Sequence, residues 1–179
     1  MNDRSEQHHV TDSAPMTGQL QMDATALDEF MQAAFGGRPS WTIERLDTDG
    51  MRVRQPTGSG DSRPGGTVSG PTLMTLADAV AYMVVLSHIG PAALAVTSNL
   101  TINFLRRPRM VDLVVEGTLL KLGRSLAVVD VLLYSDSSEK TDGGDAESLQ
   151  KPVAQATVTY SLALLDGRAD EQPDEGTSR

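Results

Sequence analysis

The 179-residue chain has no cysteine, three histidines, one tryptophan and aromatic side chains at only 4% of positions. Without cysteine there can be no disulfide framework, thiolate metal site or cysteine nucleophile. His8 and His9 share a polar N-terminal stretch and His88 stands far from both, which argues against a histidine-rich zinc site. No uninterrupted apolar run reaches the roughly 20 residues that span a bilayer. The N-terminus also lacks the basic and apolar regions of a signal peptide. The expectation is a soluble, cytoplasmic protein with no membrane partner.

The net charge of −9 is unevenly spread. Residues 1–22 carry −2, residues 135–151 carry −3 and residues 166–179 carry −3, leaving −1 for the rest. These three segments are polar and without apolar period. They read as a disordered leader, a long acidic loop and a disordered tail around a single domain over residues 23–165. An acidic balance of this kind disfavours nucleic acid as a partner, while leaving room for a locally basic ligand site.

Along the chain, Asp23 can start a helix with Leu27, Phe30, Met31 and Ala34 on one face, stopped by Gly36-Gly37 and Pro39. Trp41, Ile43 and Leu46 suggest a strand, Asp49-Gly50 a turn, and Met51 with Val53 the return strand. Gly58 to Gly66 has loop composition. Beyond residue 90 the pattern turns to strands. Ala95–Leu105 puts Val96, Leu100, Ile102 and Phe104 on a common face. Asp112–Leu122 and Ser125–Tyr134 join through a two-residue turn at Gly123-Arg124. Val153–Leu164 aligns Ala154, Ala156, Val158, Tyr160 and Leu162.

Between these strand regions lies the organising stretch, Arg63 to His88. Ser69 is a good N-cap and Pro71 suits a first helical turn. From Leu73 to Leu86 the residues are apolar on almost every side, the pattern of a helix enclosed by other structure. Asp78 is the only formally charged side chain between Arg63 and Arg106. A lone carboxylate in such a helix is costly unless it is paired, hydrogen-bonded or set at a cleft. One apolar helix needs cover on all sides, and a curved sheet supplies it most economically. The predicted fold is therefore α+β, a curved, mostly antiparallel sheet wrapped around the long 71–88 helix. Its free edges call for oligomerisation.

The stretch SGPTLMTLAD resembles the HGG-x-x-x-x-LAD signature of hotdog-fold acyl-CoA thioesterases, particularly the PaaI-like branch. TSNLTINFLRRP and KLGRS resemble that branch's second and third signatures, so that the likeness covers roughly residues 41–163. The resemblance implies hydrolysis of an acyl-CoA thioester at sites between the subunits of a homodimer or homotetramer, with coenzyme A as part of the substrate and no further cofactor or metal. Asp78 matches the carboxylate that acts as general base or nucleophile. Gly70 matches the glycine whose N–H polarises the thioester carbonyl, a role that suits the positive end of a helix. Thr97 matches a hydroxyl that helps hold the attacking water. Arg106 and Arg107 match a basic region for coenzyme A phosphates, and Lys121, Gly123 and Arg124 border the pantetheine channel.

Three positions depart from the pattern. Ser69 stands in the place of the signature's histidine, where it serves as a cap or a catalytic hydroxyl. Pro71 replaces its second glycine, and Arg63 occupies a place where some relatives carry a catalytic asparagine. Gly65 and Gly66 allow a tight turn near the ligand. Tyr82, one turn beyond Asp78, belongs either to the acyl pocket or to the core, and Leu73 and Met74 are expected near the acyl group. Arg106, Arg107 and Arg124 have an ordinary solvated reading beside the ligand one. His88 is expected to cap the helix C-terminus, and Asn99 and Asn103 to face the polar side of the sheet or a dimer seam. Two other functions compete with hydrolysis: non-catalytic binding or sensing of acyl-CoA on the same fold, and dehydration of a hydroxyacyl thioester, for which His88 is poorly placed. A purely structural oligomer gives no reason for Asp78.

Overall fold

The computed structural model describes residues 19–36, 40–92, 94–136 and 151–162. The expected leader before residue 19, most of the 135–151 loop and the acidic tail lie outside the described residues. Residues 21 and 22, expected in the leader, instead pack on the domain. Met22 is buried, and the Gln21 and Met22 N–H groups both donate to the Ser87 carbonyl, at 2.7 and 3.3 Å.

Helix α1 spans Ala24–Phe35, and the Asp23 carboxylate accepts the Ala26 N–H at its start. It ends at Gly36, whose φ of +73° closes the helix. Strands β1 (Thr42–Asp47) and β2 (Gly50–Gln55) form the expected hairpin. A bulge between Ile43 and Arg45 brings Ile43 and Leu46 to the same face despite their odd spacing. The 58–66 stretch is more ordered than its loop composition suggests. A 3₁₀ turn at Ser59–Asp61 leads into β3 (Ser62–Arg63), which pairs with β4 (Thr67–Val68). The turn between them takes Pro64 and then Gly65 at φ +102°, with the Gly66 N–H donating to the Arg63 carbonyl. A proline followed by a positive-φ glycine is the type II arrangement.

Helix α2 spans Gly70–Ile89, capped by Ser69 and closed by Gly90 at φ +85°. It is followed by β5 (Val96–Phe104), β6 (Leu113–Leu122), β7 (Leu126–Ser135) and β8 (Ala154–Ser161). The main sheet runs β1-β2-β6-β7-β8-β5, every neighbouring pair antiparallel. Helix α2 packs against β2, β5, β6, β7 and β8, so the sheet wraps it as the apolar pattern predicts. The 123–125 connection is one residue longer than the expected two-residue turn, because the Gly123 N–H pairs with the Leu126 carbonyl.

By length and mean composition α2 is apolar enough to cross a membrane, although Thr72, Thr75 and Asp78 interrupt any continuous apolar run. Its apolar surface is instead taken up by the sheet. Alternate residues of β2, β6, β7 and β8 turn inward, among them Val53, Val115, Val129, Val131 and Ala156, all fully buried. His88 ties the far end of the helix to the β1–β2 turn. Its Nδ1 lies 2.8 Å from the Val84 carbonyl and its Nε2 3.0 Å from that of Thr48.

The helix packs tightly on the sheet at Gly117. A Cβ there would stand 2.9 Å from Val80 Cγ1 and 3.0 Å from Val84 Cγ2. Overpacking of this kind costs about 1–3 kcal/mol. Gly117→Ala is therefore expected to lower Tm in thermal unfolding by a corresponding amount; an unchanged Tm would mean that α2 moves off β6 without penalty.

Candidate active site

A cavity of about 1010 Å³ opens along one side of α2. Met31 and Phe35 of α1 and the only tryptophan, Trp41, form its outer wall. Helix α2 contributes Thr72, Thr75, Leu76, Asp78, Ala79 and Tyr82, a stripe at spacings of three and four. Leu73 and Met74, expected beside an acyl group, face elsewhere and line no part of this cavity. A helix that is apolar all round gives no phase from which to choose its ligand-facing side.

Asp78 is partly buried on the cavity wall and its charge is well provided for. Its Oδ1 accepts hydrogen bonds from Thr97 Oγ1 at 2.8 Å and from the Tyr160 hydroxyl at 2.7 Å. Among the described residues Oδ2 accepts none. No buried side-chain oxygen there is left without a partner, so Oδ2 must be open to solvent. The carboxylate thus has one anchored oxygen and one free one.

Thr97 reaches Asp78 because β5 is bulged. Thr97 pairs with Tyr160 and Asn99 with Thr159, which leaves Ser98 as the extra residue. Beyond it, Leu100 and Ile102 pair with the inward Val158 and Ala156. The bulge shifts the alternation by one, so Thr97 shares the inner side with Leu100 while Val96, expected there, is 51% exposed. Asn103 lies on the outer face, where it donates to Gln155 Oε1 at 3.1 Å.

Tyr160, read from the sequence only as a strand core residue, is the group that pattern reasoning missed. Its ring stacks on Tyr82 with centroids 5.6 Å apart. Burial, with the adjacent Asp78 carboxylate adding to it, pushes its hydroxyl far above the ordinary tyrosine range, so it stays a proton donor. The Tyr82 hydroxyl is raised by burial too, and it donates to the Ala92 carbonyl at 3.3 Å. Phe35 meets Tyr82 edge-on at 6.2 Å.

A second cavity of about 510 Å³ lies at the start of α2, between Arg63, Gly70, Leu73, Phe104, Arg106 and Arg107. Here the first helical turn has a single free donor. Ser69 takes the Thr72 N–H on its Oγ and the Leu73 N–H on its carbonyl. Pro71 has no N–H, and the Gly70 N–H meets no acceptor among the described residues. Asp61 braces the same turn. Its carbonyl accepts the Ser69 N–H at 2.7 Å and its Oδ2 the Gly58 N–H at 2.8 Å. Nothing in the sequence pattern pointed to that role.

The structure therefore divides the expected site residues. Asp78, Ser69, Thr97 and Tyr82 line the large cavity, with Ser69 occupied in capping. Gly70, Arg63, Arg106 and Arg107 gather at the second. Arg63 Nε donates to Thr67 Oγ1 at 2.9 Å and Arg106 to the Pro152 carbonyl at 2.8 Å. Gly66 sits in the β3–β4 turn, while Lys121, Gly123 and Arg124 sit at the β6–β7 turn; none of these four lines either cavity. Among the described residues no three Asp, Glu or His side chains converge on a point where they could hold a metal ion.

A long helix enclosed by an antiparallel sheet defines a hotdog-fold domain. The thioesterase superfamily model matches residues 65–141. A candidate thioesterase from Silicibacter sp. TM1040 is 38% identical over 80% of this chain and 93% of its own, with a TM-score of 0.66. Zebrafish thioesterase superfamily member 2 is 18% identical over 79% of this chain and 99% of its own, TM-score 0.64. A hypothetical thioesterase from Streptococcus pneumoniae TIGR4, solved with coenzyme A, is 21% identical over 78% of this chain and 95% of its own, TM-score 0.57. A search of curated proteins finds no match. The chain belongs to the thioesterase superfamily, and it is a thioester hydrolase.

Because Trp41 is the only tryptophan and lines the large cavity, it reports on the cavity's contents. An apolar naphthalene dye entering there is expected to quench Trp41 emission. Ala79→Phe, which fills the space, is expected to abolish the quench while the fold is kept. Quenching of equal strength in that variant would place the dye elsewhere.

Proposed function

We propose that this protein hydrolyses an acyl-CoA thioester with Asp78 as the reacting carboxylate, the acyl group lying in the large cavity. The observation that carries this reading is the free Oδ2 of Asp78, held at an apolar, aromatic-lined wall by bonds to its other oxygen. Oδ2 takes a proton from water as the water oxygen bonds to the thioester carbon, and the carbonyl electrons move onto oxygen. An N–H donor stabilises that charge. Collapse breaks the C–S bond, and the proton on Asp78 passes to the departing sulfur, giving the free acid and the coenzyme A thiol. No metal or further cofactor enters these steps.

The reading also requires a second copy of the chain. Gly70 and Asp78 are eight residues apart on one helix, about 12 Å along its axis, and they open into different cavities. One carbonyl cannot touch both in a single subunit, so Gly70 and the arginines beside it serve the partner's acyl cavity. Strand β5 lies at the edge of the sheet, with Val96 and Phe104 about half exposed at its two ends. Pairing through that edge gives a homodimer, and doubling gives a tetramer. Arg63, Arg106 and Arg107 surround the second cavity with no carboxylate among its lining residues, which suits coenzyme A phosphates. The Streptococcus pneumoniae relative solved with coenzyme A supports that choice of carrier.

Free-thiol release across short, medium, long and aromatic acyl-CoAs is the direct test. Asp78→Ala is expected to lower kcat about 10²- to 10⁴-fold, as loss of a general base does. Wild-type turnover in this variant would remove Asp78 from the chemistry, and no release from any acyl-CoA by the native chain would remove coenzyme A as the carrier of its thioester. Co-expressing Asp78→Ala with Gly70→Pro, which lacks the N–H, is expected to restore activity that neither variant has alone. An inactive mixture of confirmed heterodimers would place both groups' action within one subunit.

A further inference from the structure

We propose that Tyr160 is a positioning residue of this site, its buried hydroxyl acting with Thr97 to fix Oδ1 of Asp78 so that Oδ2 alone meets the reaction. The inference rests on reading Asp78 as the reacting carboxylate. The Tyr160 hydroxyl has two oxygens of Asp78 in reach, Oδ1 at 2.7 Å and the main-chain carbonyl at 3.0 Å, and one proton to give. That carbonyl lies inside α2, where the helical N–H four residues on is already directed at it. The carboxylate is charged and nearer, so the proton goes to Oδ1.

The comparison with Tyr82 separates this role from ordinary core filling. Both rings are buried and they stack on each other. Tyr82 satisfies its hydroxyl on a loop carbonyl, that of Ala92, as a structural tyrosine does. Tyr160 spends its hydroxyl on the one carboxylate in the helix. Its own ring has little freedom, because it stands on β8 between Thr97 of β5 and Ala127 of β7. The torsion that turns a carboxylate about its own axis is broad and nearly two-fold. A single donor leaves the plane of the group free to swing about that bond. Two donors on the same oxygen, carried by adjacent paired strands, fix the plane and with it the direction of Oδ2. Holding a reacting atom in one direction is a main source of rate in enclosed sites.

The test measures kcat and KM for the native chain, Tyr160→Phe, Asp78→Ala and the double variant on the best acyl-CoA. Tyr160→Phe keeps the ring, its stacking and the cavity wall. It is expected to lower kcat about 10- to 100-fold, the worth of a hydrogen bond to a charged group, with KM within about twofold. In the Asp78→Ala background the same change is expected to cost nothing further, whereas a merely structural loss would lower both backgrounds alike. Thr97→Ser is expected to keep most of the rate and Thr97→Val to lose it. Native kcat in Tyr160→Phe, or equal losses in both backgrounds, overturns the positioning role while Asp78 keeps its own. Full activity in Asp78→Ala overturns the reading of Asp78 and this inference together.

Discussion

The structure depends on covering a helix that has no polar side to give to water. Helix α2 is apolar around almost its whole circumference, and two packed layers of ordinary helices could cover only part of it. The sheet meets the demand by passing round it from β2 to β5, with valines and alanines turned inward and Gly117 making room for Val80 and Val84. Both the cavities and the sheet's open edge follow from this enclosure. Where the wrap is incomplete, α1 and the 58–68 loop close the gap, and the space left beneath them is the large cavity.

Within that enclosure the one charge becomes tolerable only through the strands on which its donors sit. Asp78 faces β5 and β8, and those two strands supply Thr97 and Tyr160. The cost of bringing a carboxylate into the interior is offset by charge-assisted hydrogen bonds on one oxygen. The other oxygen stays at the cavity wall. A structural carboxylate would be expected to satisfy both.

Much of this was legible in the chain itself, and the unread part has a common cause. The enclosed helix, its Ser69 cap and the isolation of Asp78 follow from local pattern. The role of Tyr160 does not, since a tyrosine alternating with alanine and valine describes a core strand whether or not its hydroxyl has chemical work. Its meaning comes from β8 pairing with β5, an adjacency set by topology rather than by nearby sequence. The inward turn of Thr97 hangs on a bulge at Ser98 that no residue type announces. Leu73 and Met74, expected near the acyl group, stand on a helix whose uniform apolarity hides its orientation. The division of Gly70 from Asp78 was available from helical rise alone.

The start of α2 also determines what sort of oxygen it can hold. Anion sites at helix N-termini grip phosphate with several neighbouring N–H groups at once. Here Pro71 offers none, and Ser69 has already claimed those of Thr72 and Leu73. What is left is one donor, at Gly70. A tetrahedral group with several equivalent oxygens gains little from such a place, whereas a carbonyl, with a single oxygen to present, loses nothing. The serine and proline in this turn thus leave the helix start a single-donor site, with Arg63, Arg106 and Arg107 lining the cavity beside it.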